Sequence, residues 1–299
     1  MTHPATVIAL GFFDGVHRGH GALLRRAAEQ AARLGAEPAV FTFDRPPKEV
    51  VTGCPVSLIN SPEDRRELID RIYGIKHVIL APFDRAMMTM HWRDFITLLV
   101  EQHGAVHLVA GHDYRFGHKN EGTPELLAQR CSQLGLGCDI IPKVELEGIT
   151  VSSTYIRALV ERGEMERAAA FLDHPHCLSQ VVTHGHRFGR TIGVPTINFA
   201  LPGHVLVPRH GVYITRVYLP DGTDYPGITN VGTRPTVSSE GTVSVETYLL
   251  SYDGDLYGRR IRLDFFRRLR DERQFDSPAE LQAQIRRDIT TARFYFAEN

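Results

Sequence analysis

The chain has 299 residues, 42% of them apolar and 23% charged, enough for two ordinary domains with full cores. A formal charge of −1 at pH 7 excludes the whole-molecule positive field of a nucleic-acid or anionic-membrane binder. No apolar run approaches roughly 18 residues, no basic-then-apolar leader opens the chain, and Cys54, Cys131, Cys138 and Cys177 lack metal-ligand spacing, so a reducing cytoplasm is the expected setting.

The first apolar run, residues 6–10, reads as a strand and leads into Gly11-Phe12-Phe13-Asp14-Gly15-Val16-His17-Arg18-Gly19-His20. A helix is expected over 20–34, with Leu23, Leu24, Ala27, Ala28, Ala31 and Leu34 as its apolar stripe. Two imidazoles therefore stand at a helix start, where backbone N–H groups lack partners and roughly half a positive charge resides. A phosphate chain suits that position, and Gly19 leaves its backbone approachable. The spacing also fits surface histidines or half of a metal site. Placement directly after a strand and beside Gly11 and Gly15 favours phosphate.

Further strands are expected at 38–43, 77–80, 107–110 and 137–141, and further helices at 63–73, 91–103 and 124–134. Ser61-Pro62-Glu63 and Thr123-Pro124-Glu125 each give a capping residue, a proline at the first helical position and an acid. Such alternation predicts a parallel sheet with helices on both faces and a ligand beyond its carboxyl ends. After the fourth strand, residues 111–117 read as a loop over that site. Gly117 and Gly122 imitate a P-loop, but Thr123 stands where the phosphate-binding lysine belongs. Ser152, Ser153 and Thr154 then offer hydroxyls at a helix start, with Arg157 one turn on. This is either a second anion cradle or an ordinary N-cap with an exposed arginine.

The rhythm changes near residues 163–178, a helix followed by His174-Pro175. Residues 184–198 are punctuated by Gly185, Gly189 and Gly193. They read either as a long hairpin loop or as a nucleotide wrap in which Thr196 and Asn198 offer oxygens to a magnesium ion. Period-two strands follow at 211–219, 225–231, 243–250 and 260–266, with turns at Asp221-Gly222 and Asp253-Gly254, which predicts an antiparallel sheet or small closed barrel. In the third of these, Val243, Val245 and Leu249 share one face. Glu246 shares the other with Ser244 and Tyr248, as a solvent-face residue or as a base for a substrate hydroxyl. Ser277-Pro278-Ala279-Glu280 opens a last helix that packs through Leu281, Ile285, Ile289 and Ala292.

The HxGH stretch resembles the nucleotidyltransferase superfamily. With the 113–117 loop, Val151–Arg157, Gly189-Arg190, Gly193, Pro195–Asn198, Gly232–Thr236, Glu246-Thr247-Tyr248 and Leu256-Tyr257-Gly258 in order, the whole chain resembles the bacterial bifunctional riboflavin kinase/FMN adenylyltransferase (FAD synthetase) family. The resemblance implies a Rossmann-like HxGH nucleotidyltransferase domain over 1–175 that adenylylates FMN. It implies a small antiparallel β-barrel with a terminal helix over 176–299 that phosphorylates riboflavin. Both use ATP and Mg²⁺, with only small-molecule substrates and neither nucleic acid nor membrane as partner. Glu246 is implied as the kinase base, and His17, His20 and Arg157 as adenylylation residues. The ATP and phosphate contacts are Gly11, Phe13, Asp14, Gly19, Ser152, Ser153, Thr154, Gly189, Arg190 and Gly193. Flavin contacts are Asp113, Phe116 and Arg270, and Thr196 and Asn198 hold the metal.

The first half departs from the family at Phe12, at Pro46 (in place of histidine) and over residues 118–122. The second departs less, at Phe188 and Ile192. A kinase with a silent first half, and a non-catalytic flavin or nucleotide sensor, are the competing expectations.

Overall fold

The computed structural model describes residues 4–183, 194–199, 204–234 and 242–298. They form two compact units, 1–153 and 154–299.

In the first unit, β1 (Thr6–Leu10) is buried along its whole length. It lies between β2 (Glu37–Phe43) and β4 (Ala105–Gly111). With β3 (His77–Ala81) and β5 (Gly137–Ile141) the order is β3-β2-β1-β4-β5, every pairing parallel. The expected α/β architecture is thus present. The order reverses between β1 and β4, and a crevice is left there beyond the strand ends. Helix α1 (Arg18–Leu34) follows β1 and buries Leu23, Leu24, Ala27 and Ala31. A short α2 (Pro47–Thr52) and α3 (Pro62–Tyr73) connect β2 to β3, and α4 (Arg85–Thr89) and α5 (Trp92–His103) connect β3 to β4. Then α6 (Pro124–Leu134) leads to β5. The Ser61 hydroxyl accepts from Asp64 N at 3.1 Å and that of Thr123 from Leu126 N at 3.3 Å, so both predicted caps form. Gly137 is required by its neighbour, because a Cβ there would lie 2.1 Å from the His107 ring. After β5, a two-strand hairpin of β6 (Glu145–Leu146) and β7 (Ile149–Thr150) leads to α7 (Ser153–Arg162).

The second unit takes in most of α7, all of α8 (Met165–Leu172) and a closed barrel. Its strands are β8 (His176–Thr183), β9 (Thr196–Phe199), β10 (Gly211–Tyr218), β11 (Asp224–Arg234), β12 (Thr242–Leu249) and β13 (Arg260–Arg270), ordered β10-β11-β12-β9-β8-β13. Closure leaves no free sheet edge. Inside, the hydroxyls of Thr215, Thr229 and Thr247 form a chain with links of 2.8 Å, so these fully buried groups satisfy one another. Helix α9 (Pro278–Glu298) starts as predicted: Ser277 Oγ accepts from Glu280 N at 3.2 Å. The Glu280 carboxylate reaches back to Asp276 N at 3.3 Å. Ala292 and Ile289 pack it against Val212, Ile214 and Ile228.

His176 on β8 is fully buried, 5.8 Å from the Phe265 ring. Burial lowers its pKa to about 3, helped by the nearby charge of His174. Between pH 6.5 and 3 the unfolded chain then holds the extra proton, so stability falls as pH falls through this window. Replacing His176 with Leu removes about 1 kcal/mol of the stability lost between pH 6.5 and 5.5, measured as the change in urea unfolding midpoint. Parent and variant losing equal stability would contradict this.

Candidate active sites

The carboxyl ends of β1, β4 and β5 open into a cavity of about 320 Å³ lined by Gly11, His17, His20, Asp113, Lys143 and Ser153 among others. The turn before α1 shapes one wall. Phe13 and Val16 hold φ of 56° and 43°, a region bulky and β-branched side chains avoid, so the turn is strained just behind the cavity wall. His17 caps α1 in the manner of a serine: its Nδ1 accepts from His20 N at 3.2 Å. That bond leaves Nε2–H as a neutral donor. The two imidazoles stack with centroids 3.6 Å apart. A Cβ on Gly19 would sit 3.1 Å from the His17 ring, so a side chain there would crowd the histidine as well as a ligand. Burial, with the neighbouring His17 and Arg65, lowers the His20 pKa well below its usual value, and its Nδ1 is buried without a hydrogen-bond partner. His20 is therefore a neutral imidazole at pH 7.

The structure gathers Gly11, His17, Gly19, His20, Ser152, Ser153 and Asp113 on this one cavity. It places two other expected ATP contacts elsewhere. The Phe13 ring is buried beneath Gly11, and Asp14 is 1% exposed. The Asp14 carboxylate accepts from Ile59 N at 2.9 Å and Asn60 N at 3.4 Å, while its carbonyl accepts from Ser153 Oγ at 2.9 Å. Asp14 thus braces the turn from behind. Thr154 and Arg157 lie on α7 within the second unit.

Sequence reasoning missed Arg65. It projects from the buried face of α3, at helical spacing to Leu68 and Ile69, where an apolar residue is the norm. Its Nη1 donates to Phe12 O at 2.6 Å, Thr42 Oγ1 at 2.8 Å and Phe43 O at 3.2 Å. Its guanidinium lies 4.4 Å over the Phe12 ring, which gives Phe12 a place in this chain. Burial lowers the Arg65 pKa to about 10, so it stays charged at neutral pH. Also missed was an aromatic and methionine pocket beside the first cavity, lined by Phe43, Phe83, Met87, Met90, Phe95 and Phe116. These residues are scattered along the chain, and only the fold collects them. Tyr114 lines both this pocket and the HxGH cavity. Pro46, the other departure, caps α2, and residues 118–120 form a single 3₁₀ turn with Lys119 at φ 54°.

In the barrel, strand register assembles the second site. Asn198 pairs with Glu246 across β9 and β12, Asn230 pairs with Glu246 across β11 and β12, and Thr196 pairs with Tyr248. Alternation holds as expected, with Val245, Thr247 and Leu249 inward and Glu246 and Tyr248 outward. The outward face is covered rather than solvated. Glu246, Thr196, Asn230, Arg270, Leu281 and Ile285 line a cavity of about 290 Å³ beneath α9. A second cavity of about 320 Å³, lined by Ile197, Tyr252, Leu256 and Tyr257, shares Thr196 as a wall. Arg270 reaches the cavity but is held by Asp288 at 2.8 and 3.1 Å, with Gln284 bonded to the same carboxylate at 2.8 Å. Glu272, not foreseen, accepts from Asn230 Nδ2 at 2.9 Å on the same wall. Gly189, Arg190 and Gly193 lie outside the described residues.

Residues 1–155 match the family model described as FAD synthetase, and residues 172–296 match the one described as riboflavin kinase. Fold and sites together define a two-part enzyme class in which a nucleotidyltransferase unit precedes a flavokinase barrel. Curated proteins called bifunctional riboflavin kinase/FMN adenylyltransferase are similar along the whole chain. The Pseudomonas fluorescens protein is 34% identical, covering 97% of this chain and 93% of the relative. That from Escherichia coli K12 is 36% identical over 97% and 92%. A solved structure described as a macrolide-efflux protein from Streptococcus pneumoniae is 30% identical, with a TM-score of 0.86 over 98% of this chain and 95% of that one. The chain belongs to the bifunctional riboflavin kinase/FMN adenylyltransferase family. Among the described residues no helix is long and apolar enough to cross a membrane.

Asp14→Ala strips acceptors from two buried backbone N–H groups and lowers stability by about 2 kcal/mol in urea unfolding of the full chain. A change under about 0.5 kcal/mol would show that Asp14 does not brace the turn.

Proposed function

We propose that the chain makes FMN in its second unit and FAD in its first, with ATP as co-substrate of both reactions. The supporting observation is a feature common to both units: two cavities of different character share one wall residue, Tyr114 in the first and Thr196 in the second. Transfer between two bound substrates is served by neighbouring cavities, because the reacting atoms must be brought together.

In the barrel, riboflavin occupies the cavity with Val212, Ile228 and Ile285, and ATP the one with Tyr252 and Tyr257. Glu246 takes the proton of the riboflavin 5′-hydroxyl as that oxygen attacks the γ-phosphorus. The bond to the bridging oxygen breaks, and ADP departs. Thr196 and Asn198, two positions apart on β9, bring neutral oxygen donors to one face of the strand beside the Glu246 carboxylate. That donor set fits Mg²⁺, which takes one or two protein oxygens and otherwise phosphates and water. When bound, the ion neutralises phosphate charge. Arg270 acts on the flavin cavity by holding α9 through Asp288.

In the first unit the FMN phosphate attacks the α-phosphorus of ATP, and pyrophosphate leaves. ATP lies in the HxGH cavity, and the pocket of Phe43, Phe83, Phe95 and Phe116, about 80 Å³, receives one edge of the isoalloxazine. Asp113 and Tyr114 stand where the two meet. Neutral His17 and His20 donate hydrogen bonds to phosphate oxygens, as do the first-turn N–H groups of α1, while Ser152 and Ser153 hold the leaving pyrophosphate. We assign residues 1–175 to adenylyl transfer, with Thr154 and Arg157 among its phosphate contacts. Residues 176–299 carry the kinase, with Gly189, Arg190 and Gly193 around its ATP. The enzyme works in the cytoplasm; its four cysteines are free thiols.

Incubation with riboflavin, ATP and Mg²⁺, followed by chromatography of flavins, yields FMN and then FAD. FMN alone would mark a kinase with a silent first unit, and unchanged riboflavin a non-catalytic sensor. Glu246→Gln lowers FMN formation at least 100-fold yet spares FAD formation from supplied FMN, and His20→Ala does the reverse, by at least about 100-fold. Kinase activity within a few-fold of the parent after Glu246→Gln would reject the base assignment.

A further inference from the structure

The adenylylation cavity must hold a polyphosphate, yet Lys143 is the one lysine or arginine among the described residues that line it. Lys143 stands two positions past the end of β5, at the base of the β6–β7 hairpin. Val151 N donates to Val144 O at 2.9 Å, which fixes the lysine beside the Ser152-Ser153 cradle that lines the same cavity. Its ammonium is paired with Glu145 Oε1 at 2.7 Å. That hydrogen bond, and then the lysine's charge, pull the Glu145 carboxyl pKa down. Glu145 itself is not on the cavity wall; it sits opposite Thr150 across the hairpin. The side chains of the pair remain 58% and 41% exposed, so the bridge is a solvent-screened one that contributes little to stability. A polyphosphate in the cavity offers more negative charge and better-aligned acceptors than one carboxylate.

We propose that Lys143 grips the pyrophosphate end of ATP in the first unit, and that Glu145 holds it at the cavity rim until that anion arrives. The inference rests on the reading of this cavity as the adenylylation site. Lysine is suited to the exchange: its ammonium is a point charge on a flexible stem and can change partner without reorganising the wall. The exchange makes the two residues opposite in effect. Lys143 supports polyphosphate binding, whereas Glu145 competes with it.

The test is FAD formation by the full chain at saturating FMN, with ATP varied and inorganic pyrophosphate as product inhibitor. Lys143→Met raises the KM for ATP and the pyrophosphate inhibition constant about tenfold, and Lys143→Arg keeps both within about threefold. Glu145→Gln lowers the pyrophosphate inhibition constant by about threefold. FMN formation in the second unit reports that the variants are folded. A merely structural ion pair would move both removals the same way. If Lys143→Met and Glu145→Gln weaken pyrophosphate together, or if Lys143→Met leaves its inhibition constant unchanged, the proposal is wrong while the site assignment stands. A parent chain that makes no FAD from FMN would overturn both.

Discussion

The passage from β1 to α1 is the constraint on which the first unit depends. A strand buried on both faces ends where a helix must begin with its N–H groups still open to a ligand. A serine or aspartate cap would satisfy one of those groups and present no ring N–H to the ligand. Here a histidine caps, and a strained turn with Phe13 and Val16 at positive φ delivers it. Each such residue costs on the order of 1–3 kcal/mol, so the turn persists only because its surroundings over-determine it. Asp14 ties it to the backbone of Ile59 and Asn60, and Thr42 and Arg65 both donate to the Phe12 carbonyl. Donors held this way need little reorganisation when charge develops on a phosphate.

The barrel solves its version of the problem without strain. A strand presents alternate residues to opposite faces, so Thr196 and Asn198 fall on one face by period alone, and antiparallel register sets Glu246 beside Asn198. A one-residue slip of β9 against β12 would turn both polar residues to the other face. The buried threonine chain across β10, β11 and β12 fixes the register of those three strands, and so sets Glu246 opposite Asn230, since a shift among them would leave hydroxyls unsatisfied in the core.

Much of this was legible in the sequence because it is local. The β1–α1 transition, the caps at Ser61, Thr123 and Ser277 and the alternation around Glu246 each follow from a few consecutive residues. Structure was needed where meaning is collective. Asp14 sits inside the stretch that the family resemblance assigns to ATP, yet its partners Ile59 and Asn60 come from the approach to α3, so its bracing role is invisible in the sequence. Arg65 reads as a surface charge until α3 is seen to turn it inward. The aromatic pocket joins residues of β2, α4, α5 and the loop after β4, and no period in the chain signals it.

The charge character of the first site suits the proposed adenylylation, which must release pyrophosphate. A cavity wall built of fixed cations would hold pyrophosphate as firmly as the ATP it came from. Neutral imidazoles and backbone N–H groups discriminate better, because their dipoles are aimed at the position where charge develops. Burial keeps His20 neutral at pH 7, and the nearby Arg65 reinforces this while its own charge is turned to the carbonyls behind the turn. The same buried arginine thus serves two ends: it steadies the strained backbone, and it disfavours protonation of the histidine. With a single flexible lysine at the rim and the fixed cation one layer back, the wall around the histidines is built of neutral donors.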